Sequence, residues 1–202
     1  MPFHPAPFLN FAATAPEPES FRQRRLIWQP LRTHFTPAAV LVGFVPSDQG
    51  SGILLTLRSS NLRDHGNQIS FPGGQIDPAD TGHTAAALRE TQEELGIPPG
   101  IWQIHGSLPP SYLPSGYQVT PVLATARRQP ACRPNPQEVA EAFIVPSSLA
   151  LNPASYRLET YQHQGLSAAM PVLQYHHRLI WGATAAILYR LAHIHADYRQ
   201  IS

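Results

Sequence analysis

Apolar and polar positions fall in short blocks along this chain. Residues 38–45 are almost wholly apolar and end at Pro46, and residues 52–58 form a second such run after polar Ser47, Asp48, Gln49 and Gly50. Two runs joined by a short polar link predict a β-hairpin. Further β-like runs lie at 102–108, 119–126, 139–145, 156–161 and 172–176, so a sizeable sheet is expected. Two segments read as good helices. Residues 84–95 contain no proline, carry Ala85, Leu88 and Leu95 as an apolar side, and stop at Gly96 with Pro98 and Pro99 beyond. Asp80 or Thr81 stands where it can cap the start. The second helix covers about 181–193, with Ala185, Leu188 and Ala192 on its apolar side. Strands with a helix on each side predict an α/β sandwich. Residues 1–35, rich in proline and carrying Arg22, Arg24 and Arg25, read as an N-terminal arm with one short helix ahead of a domain at 36–202.

Composition narrows the class. A length of 202 residues fits one domain, and 43% hydrophobic residues with 13% charged ones can bury a core. The 22 prolines argue for a loop-rich sheet protein over a helical bundle. Fourteen basic against 13 acidic side chains give a net charge of +1, which supplies no broad field for coating nucleic acid or a membrane. Neither is therefore expected as a partner, and phosphate recognition must be local. All fourteen basic residues are arginine, the side chain suited to bidentate phosphate contacts, although a compositional bias is the simpler account. One cysteine, Cys132, allows no internal disulfide. With no secretory pattern at the start and no apolar stretch near 20 residues, a cytoplasmic location is expected.

The chemistry concentrates after residue 70. Phe71-Pro72-Gly73-Gly74-Gln75-Ile76-Asp77 reads as a glycine turn leading into an acidic helix, and five of the 13 acids fall between Asp77 and Glu94. Glu90, Glu93 and Glu94 are spaced i, i+3 and i+4, so a helix projects all three from one side. Like charges so placed repel, and all-oxygen ligands suit a hard Mg²⁺ or Mn²⁺. Arg89 can pair with Glu93 at i+4, while Gly73 and Gly74 let the backbone approach a metal and offer a carbonyl. An acidic solvated helix face is the plain alternative for the glutamates taken alone.

These residues closely resemble the Nudix box, G-x5-E-x7-R-E-U-x-E-E-x-G-U with U apolar, through Gly74, Arg89-Glu90, Glu93-Glu94, Gly96 and Ile97. Three departures stand out: Asp80 replaces the first glutamate, eight residues separate it from Arg89, and Thr91 takes an apolar position. The resemblance implies a Nudix-type α/β/α sandwich with a mixed β-sheet and a loop-helix-loop box. It further implies a diphosphatase that uses Mg²⁺ or Mn²⁺ held by Gly74, Glu90, Glu93 and Glu94, with Arg89 in the catalytic set. Upstream, Leu54-Leu55-Thr56-Leu57-Arg58-Ser59, Arg63, His65, Gln68 and Phe71-Pro72-Gly73-Gly74 resemble the motif that marks the coenzyme A diphosphatase branch. Further similarity lies in Ser115-Gly116-Tyr117, in Asn135-Pro136 with Glu138-Val139, and in residues 180–185.

The branch implies coenzyme A or an acyl-coenzyme A as the small-molecule partner, contacted by Arg58, Arg63, His65, Gly73 and Gly74. Arg58 and Arg63, on the strand end and loop that lead into Gly73-Gly74, would clamp the 3′-phosphate or diphosphate and so reach a phosphate remote from the metals; surface arginines around a turn are the alternative. Asn67 stands where the branch has glycine, and asparagine tolerates positive φ. The general base is either a box glutamate or Glu138. ADP-ribose, NADH or a dinucleoside polyphosphate as substrate, a non-catalytic binding module, and a homodimer all stay open at this stage.

Overall fold

The computed structural model describes residues 3–48, 50–60 and 66–201. The expected hairpin is present: β1 (Thr36–Ser47) and β2 (Gly50–Arg58) run antiparallel, with Phe44 opposite Ile53 and Ser47 opposite Gly50. Beyond β2, β3 (Ile69–Ser70) forms an edge, and β4 (Gly73–Gln75) returns to pair antiparallel with β1. β5 (Trp102–Ser107) and β6 (Ser111–Tyr112) each pair antiparallel with β7 (Tyr117–Ala126), which runs parallel to β1. β8 (Val139–Pro146) pairs with β2. One parallel ladder among antiparallel ones makes the sheet mixed. A second sheet holds β9 (Tyr156–His163), β10 (Leu166–Tyr175) and β11 (Arg178–Ile180), all antiparallel.

Strand β1 reads as an unbroken apolar run because both of its faces are covered. Leu41 and Val45, with Leu54 and Val122 of the neighbouring strands, pack in one core with Ala86, Ala87 and Leu95 of α3 (His83–Leu95). The alternate positions Val42 and Phe44, with Ile53, Leu55 and Leu123, pack in the other core. There they meet Phe8 and Leu9 of α1 (Pro5–Thr14) and Leu188 and Leu191 of α5 (Gly182–Ile201). Helices on both faces of a mixed sheet give the α/β architecture that the sequence predicts. No described helix is long and apolar enough to cross a membrane.

Three local readings change. Residues 5–26 form two helices, α1 and α2 (Glu19–Leu26), where one short helix was expected. The prolines that suggest an arm lie at the helix starts, where a missing N–H costs nothing. The buried side of α3 is Ala86, Ala87, Thr91 and Leu95, with Leu88 half-buried at the rim, because two adjacent alanines let the helix sit close to the sheet. Its N-cap is Gly82 at φ 142°, with no side-chain cap; the Asp80 carboxylate instead accepts from the Asp77 N–H and from Arg89. The C-terminal end is as expected: Gly96 adopts φ 66° and donates its N–H to the Gln92 carbonyl.

Candidate active site

Gly73 and Gly74 form no turn. They belong to β4, where Gly73 stands opposite Val40 and Gly74 opposite Ala39. At Gly73, φ is 151° and a Cβ would lie 2.3 Å from the Ala39 carbonyl oxygen, so no other residue fits. A Cβ on Gly74 would lie 2.5 Å from the Glu90 carboxylate. The second glycine therefore makes room for an acidic side chain delivered by α3.

The glutamates of α3 do not share one environment. Glu94 is 2% exposed and accepts a hydrogen bond from the Gly73 N–H at 3.2 Å. Glu90 is half-buried against Gly74, whereas the Glu93 side chain is 53% exposed and turned outward. The i, i+4 pair thus faces β4 and the residue at i+3 lies at the edge of the helix face. Burial pushes the Glu94 carboxyl up to about 8, opposed by the Arg58 charge and the Gly73 N–H. Burial also raises Glu90, with Arg89 pulling the other way.

Arg89 is the hub of the box. Its Nε and Nη2 donate to the two oxygens of Asp80 at 3.1 and 2.9 Å, and Nη2 also donates to the Gln75 carbonyl. Its Nη1 reaches Glu90 at 2.8 Å and Glu93 at 3.0 Å. The expected Arg89–Glu93 pair exists, but the bidentate partner is Asp80, whose carboxyl Arg89 holds below its ordinary range. The sequence offers Asp80 as a helix cap and as the residue in place of the box's first glutamate, and the pairing with Arg89 belongs to the second position. That position in the box pattern, nine residues before Arg89, was the available signal.

Arg58 ends β2 at a register shift against β8, and its Nη1 lies 3.6 Å from Glu94. The Arg58 Nε is buried without a hydrogen-bond partner among the described residues. Arg58 therefore stands beside an acidic side chain of the box. Arg63 and His65 lie outside the described residues. Asn67 does adopt positive φ, at 61°, and donates its N–H to the Arg58 carbonyl.

Glu138 arrives from another part of the chain. The Arg133 and Asn135 N–H groups donate to the carbonyls of Leu95 and Glu94, docking this loop on the C-terminal end of α3. The Ser59 N–H then donates to the Glu138 carbonyl, and Asn135 Nδ2 reaches its carboxylate at 3.2 Å. The Glu138 charge raises both Glu90 and Glu94, so three carboxylates share one field.

The donor chemistry fits a hard dication: two desolvated carboxylates with raised pKa beside a backbone strand cleared of side chains. Among the described residues no three His, Cys, Asp or Glu side chains stand gathered as a finished cage. Arg89 draws Glu93 outward, and a shift of that ion pair would be needed to bring the third carboxylate in.

The NUDIX domain family matches residues 35–162. A protein of Enterobacter sp. (strain 638), named Uncharacterized Nudix hydrolase NudL, is 41% identical over 155 residues, covering 77% of this chain and 80% of that protein. The protein of the same name from Salmonella typhimurium is 39% identical over 178 residues, covering 86% of this chain and 92% of that one. Among solved structures, RenU, a Nudix hydrolase from M. smegmatis, superposes with a TM-score of 0.56 at 22% identity, over 81% of this chain and 86% of RenU. The MutT protein of Methanosarcina mazei Go1 gives 0.51 at 16% identity, over 82% of this chain and 96% of that one. These two likenesses establish the fold, and the sequence relatives together with the box on α3 establish the lineage: the chain belongs to the Nudix hydrolase family, enzymes acting on pyrophosphate bonds.

Proposed function

We propose that the protein hydrolyses the diphosphate of coenzyme A and its thioesters, with Mg²⁺ or Mn²⁺ as cofactor, giving adenosine 3′,5′-bisphosphate and a 4′-phosphopantetheine species. The observation that carries the reading is the pair of buried Glu94 and half-buried Glu90 packed against Gly73 and Gly74, with Arg58 beside it. The substrate assignment is supported by the run from Leu54 to Gly74, which leads directly into that pair. When bound, a divalent cation supplies charge neutralisation for the diphosphate and acidifies a water.

The rest falls to the chain's own residues. Glu90, Glu93 and Glu94 would hold the cation, and the Gly74 backbone would offer its carbonyl. Arg89, anchored on Asp80, orients Glu90 and Glu93. Glu138, hydrogen-bonded by Asn135, stands ready to take a proton from the attacking water. Arg58 offers a guanidinium beside Glu94 for a phosphate oxygen.

Because Arg58 lies next to Glu94, Arg58→Ala is expected to lower kcat/KM about ten- to hundredfold for coenzyme A and dephospho-coenzyme A alike. A loss confined to coenzyme A would return this arginine to the 3′-phosphate.

Incubating the protein with Mg²⁺ and a panel of coenzyme A, ADP-ribose, NADH and diadenosine polyphosphates tests the proposal. Coenzyme A is expected to give the highest kcat/KM, with ¹⁸O from labelled water in a product phosphate. A preference for another member overturns the substrate. Free thiol from an acyl-coenzyme A, without the bisphosphate, would indicate a thioesterase.

A further inference from the structure

A second group of charges lies under α2, among residues that take no part in the box. Arg24 and Arg25 of α2 and Arg190 of α5 line a partly open cavity of about 40 Å³ whose other walls, among them Phe21, Trp28 and Ile187, are largely apolar. At about 10–15 Å³ per water this space holds roughly three, comparable to one tetrahedral oxyanion.

One carboxylate serves this trio. Glu17 receives the Nε of Arg25 at 2.8 Å, and Nη1 of Arg190 lies 2.9 Å from its other oxygen without hydrogen-bond alignment. Arg24 turns instead to the Ala169 carbonyl and lies 5.7 Å over the Tyr189 ring. The Arg190 side chain is only 9% exposed, and burial lowers its pKa, opposed by the Glu17 carboxylate and reinforced by the neighbouring Arg25 charge. The Nε atoms of Arg24 and Arg190 are sealed from solvent and have no hydrogen-bond partner among the described residues. Arg25 and Arg190 share one carboxylate and the half-exposed Arg24 has none in this group, which leaves an excess of positive charge beside apolar walls.

We infer that this cavity binds a phosphate-class oxyanion, with Arg24, Arg25 and Arg190 as its cationic ligands. The planar guanidiniums suit two phosphate oxygens each, and the apolar walls keep water from competing. The phosphate can come free or as a monoester on an organic molecule whose apolar or aromatic part lies against Phe21 and Trp28.

The test is calorimetric titration of inorganic phosphate into the full chain, in excess chelator and at constant ionic strength, so that it depends on neither metal nor turnover. The wild-type protein is expected to bind phosphate, and Arg24→Gln and Arg190→Gln are each expected to weaken binding by about tenfold or more. Arg24 is half-exposed and makes no ion pair with Glu17, so Arg24→Gln reads the site even where Arg190→Gln does not fold. Absence of phosphate binding in the wild type, or unchanged affinity in Arg24→Gln, overturns the inference and leaves the arginines as ties between α2 and the core. Coenzyme A and dephospho-coenzyme A, titrated in the same chelator, distinguish the sources. A wild-type preference for coenzyme A that disappears in Arg24→Gln assigns the site to an organic monoester, and equal affinities with phosphate binding intact assign it to the free anion.

Discussion

Glu94→Gln is expected to lower kcat by roughly a hundred- to a thousandfold, about 3–4 kcal/mol in the barrier, while making the metal-free protein more stable at pH 8. The first effect follows from removing a negative ligand from the proposed cation site. The second follows from burial. The Glu94 carboxyl titrates near 4.5 in an unfolded chain and at about 8 in the folded one. Between those values the folded state holds a proton that the unfolded state has released, so the stability linked to this group is complete below pH 4.5 and is lost as pH rises through about 8. Glutamine has no such equilibrium. In chelator, the wild-type Tm should therefore fall between pH 5 and pH 8 by clearly more than that of Glu94→Gln, and Mg²⁺ should restore the wild type alone. Equal pH slopes for the two proteins, or full activity of the variant, would count against the assignment of Glu94.

Phe8→Ala is expected to cost about 3–5 kcal/mol, or roughly 6–20 °C in Tm for a chain of this size. Phe8 is fully buried, and its ring lies 6.4 Å from Phe44 of β1, 5.1 Å from His195 and 5.9 Å from Tyr198 of α5. Truncation leaves a cavity bounded by three different elements, which cannot collapse around it together. Thermal melts of the two proteins decide the point. A shift below about 2 °C would mean that α1 contributes little to the core.

The parts legible in the sequence are those written in local pattern. The β1–β2 hairpin announces itself by two apolar runs around a polar link, and the end of α3 by Gly96 followed by prolines. The pattern is silent where a distant partner decides. Gly73–Gln75 is a strand only because β1 lies beside it, and glycine carries no β signal of its own. Likewise, the i, i+3, i+4 spacing brings Glu90, Glu93 and Glu94 to one side of a helix, but the rotation of α3 against the sheet decides which of them is buried. That rotation is set by Ala86 and Ala87, small residues with little weight in a hydrophobic pattern. The α1 helix was hidden by its flanking prolines. The Asp80–Arg89 pair spans a loop whose course no periodicity specifies.

The packing of α1 against α5 also bears on biosynthesis. The apolar side of α1, Phe8, Leu9 and Ala12, is translated early, yet its partners Leu188 and Leu191 follow only after residues 15–181. At about 5–20 residues per second the ribosome needs on the order of ten to thirty seconds to deliver them. Phe44 and Leu123 of the sheet are available to α1 sooner, so in that interval it is the part of its surface turned to α5 that stays uncovered.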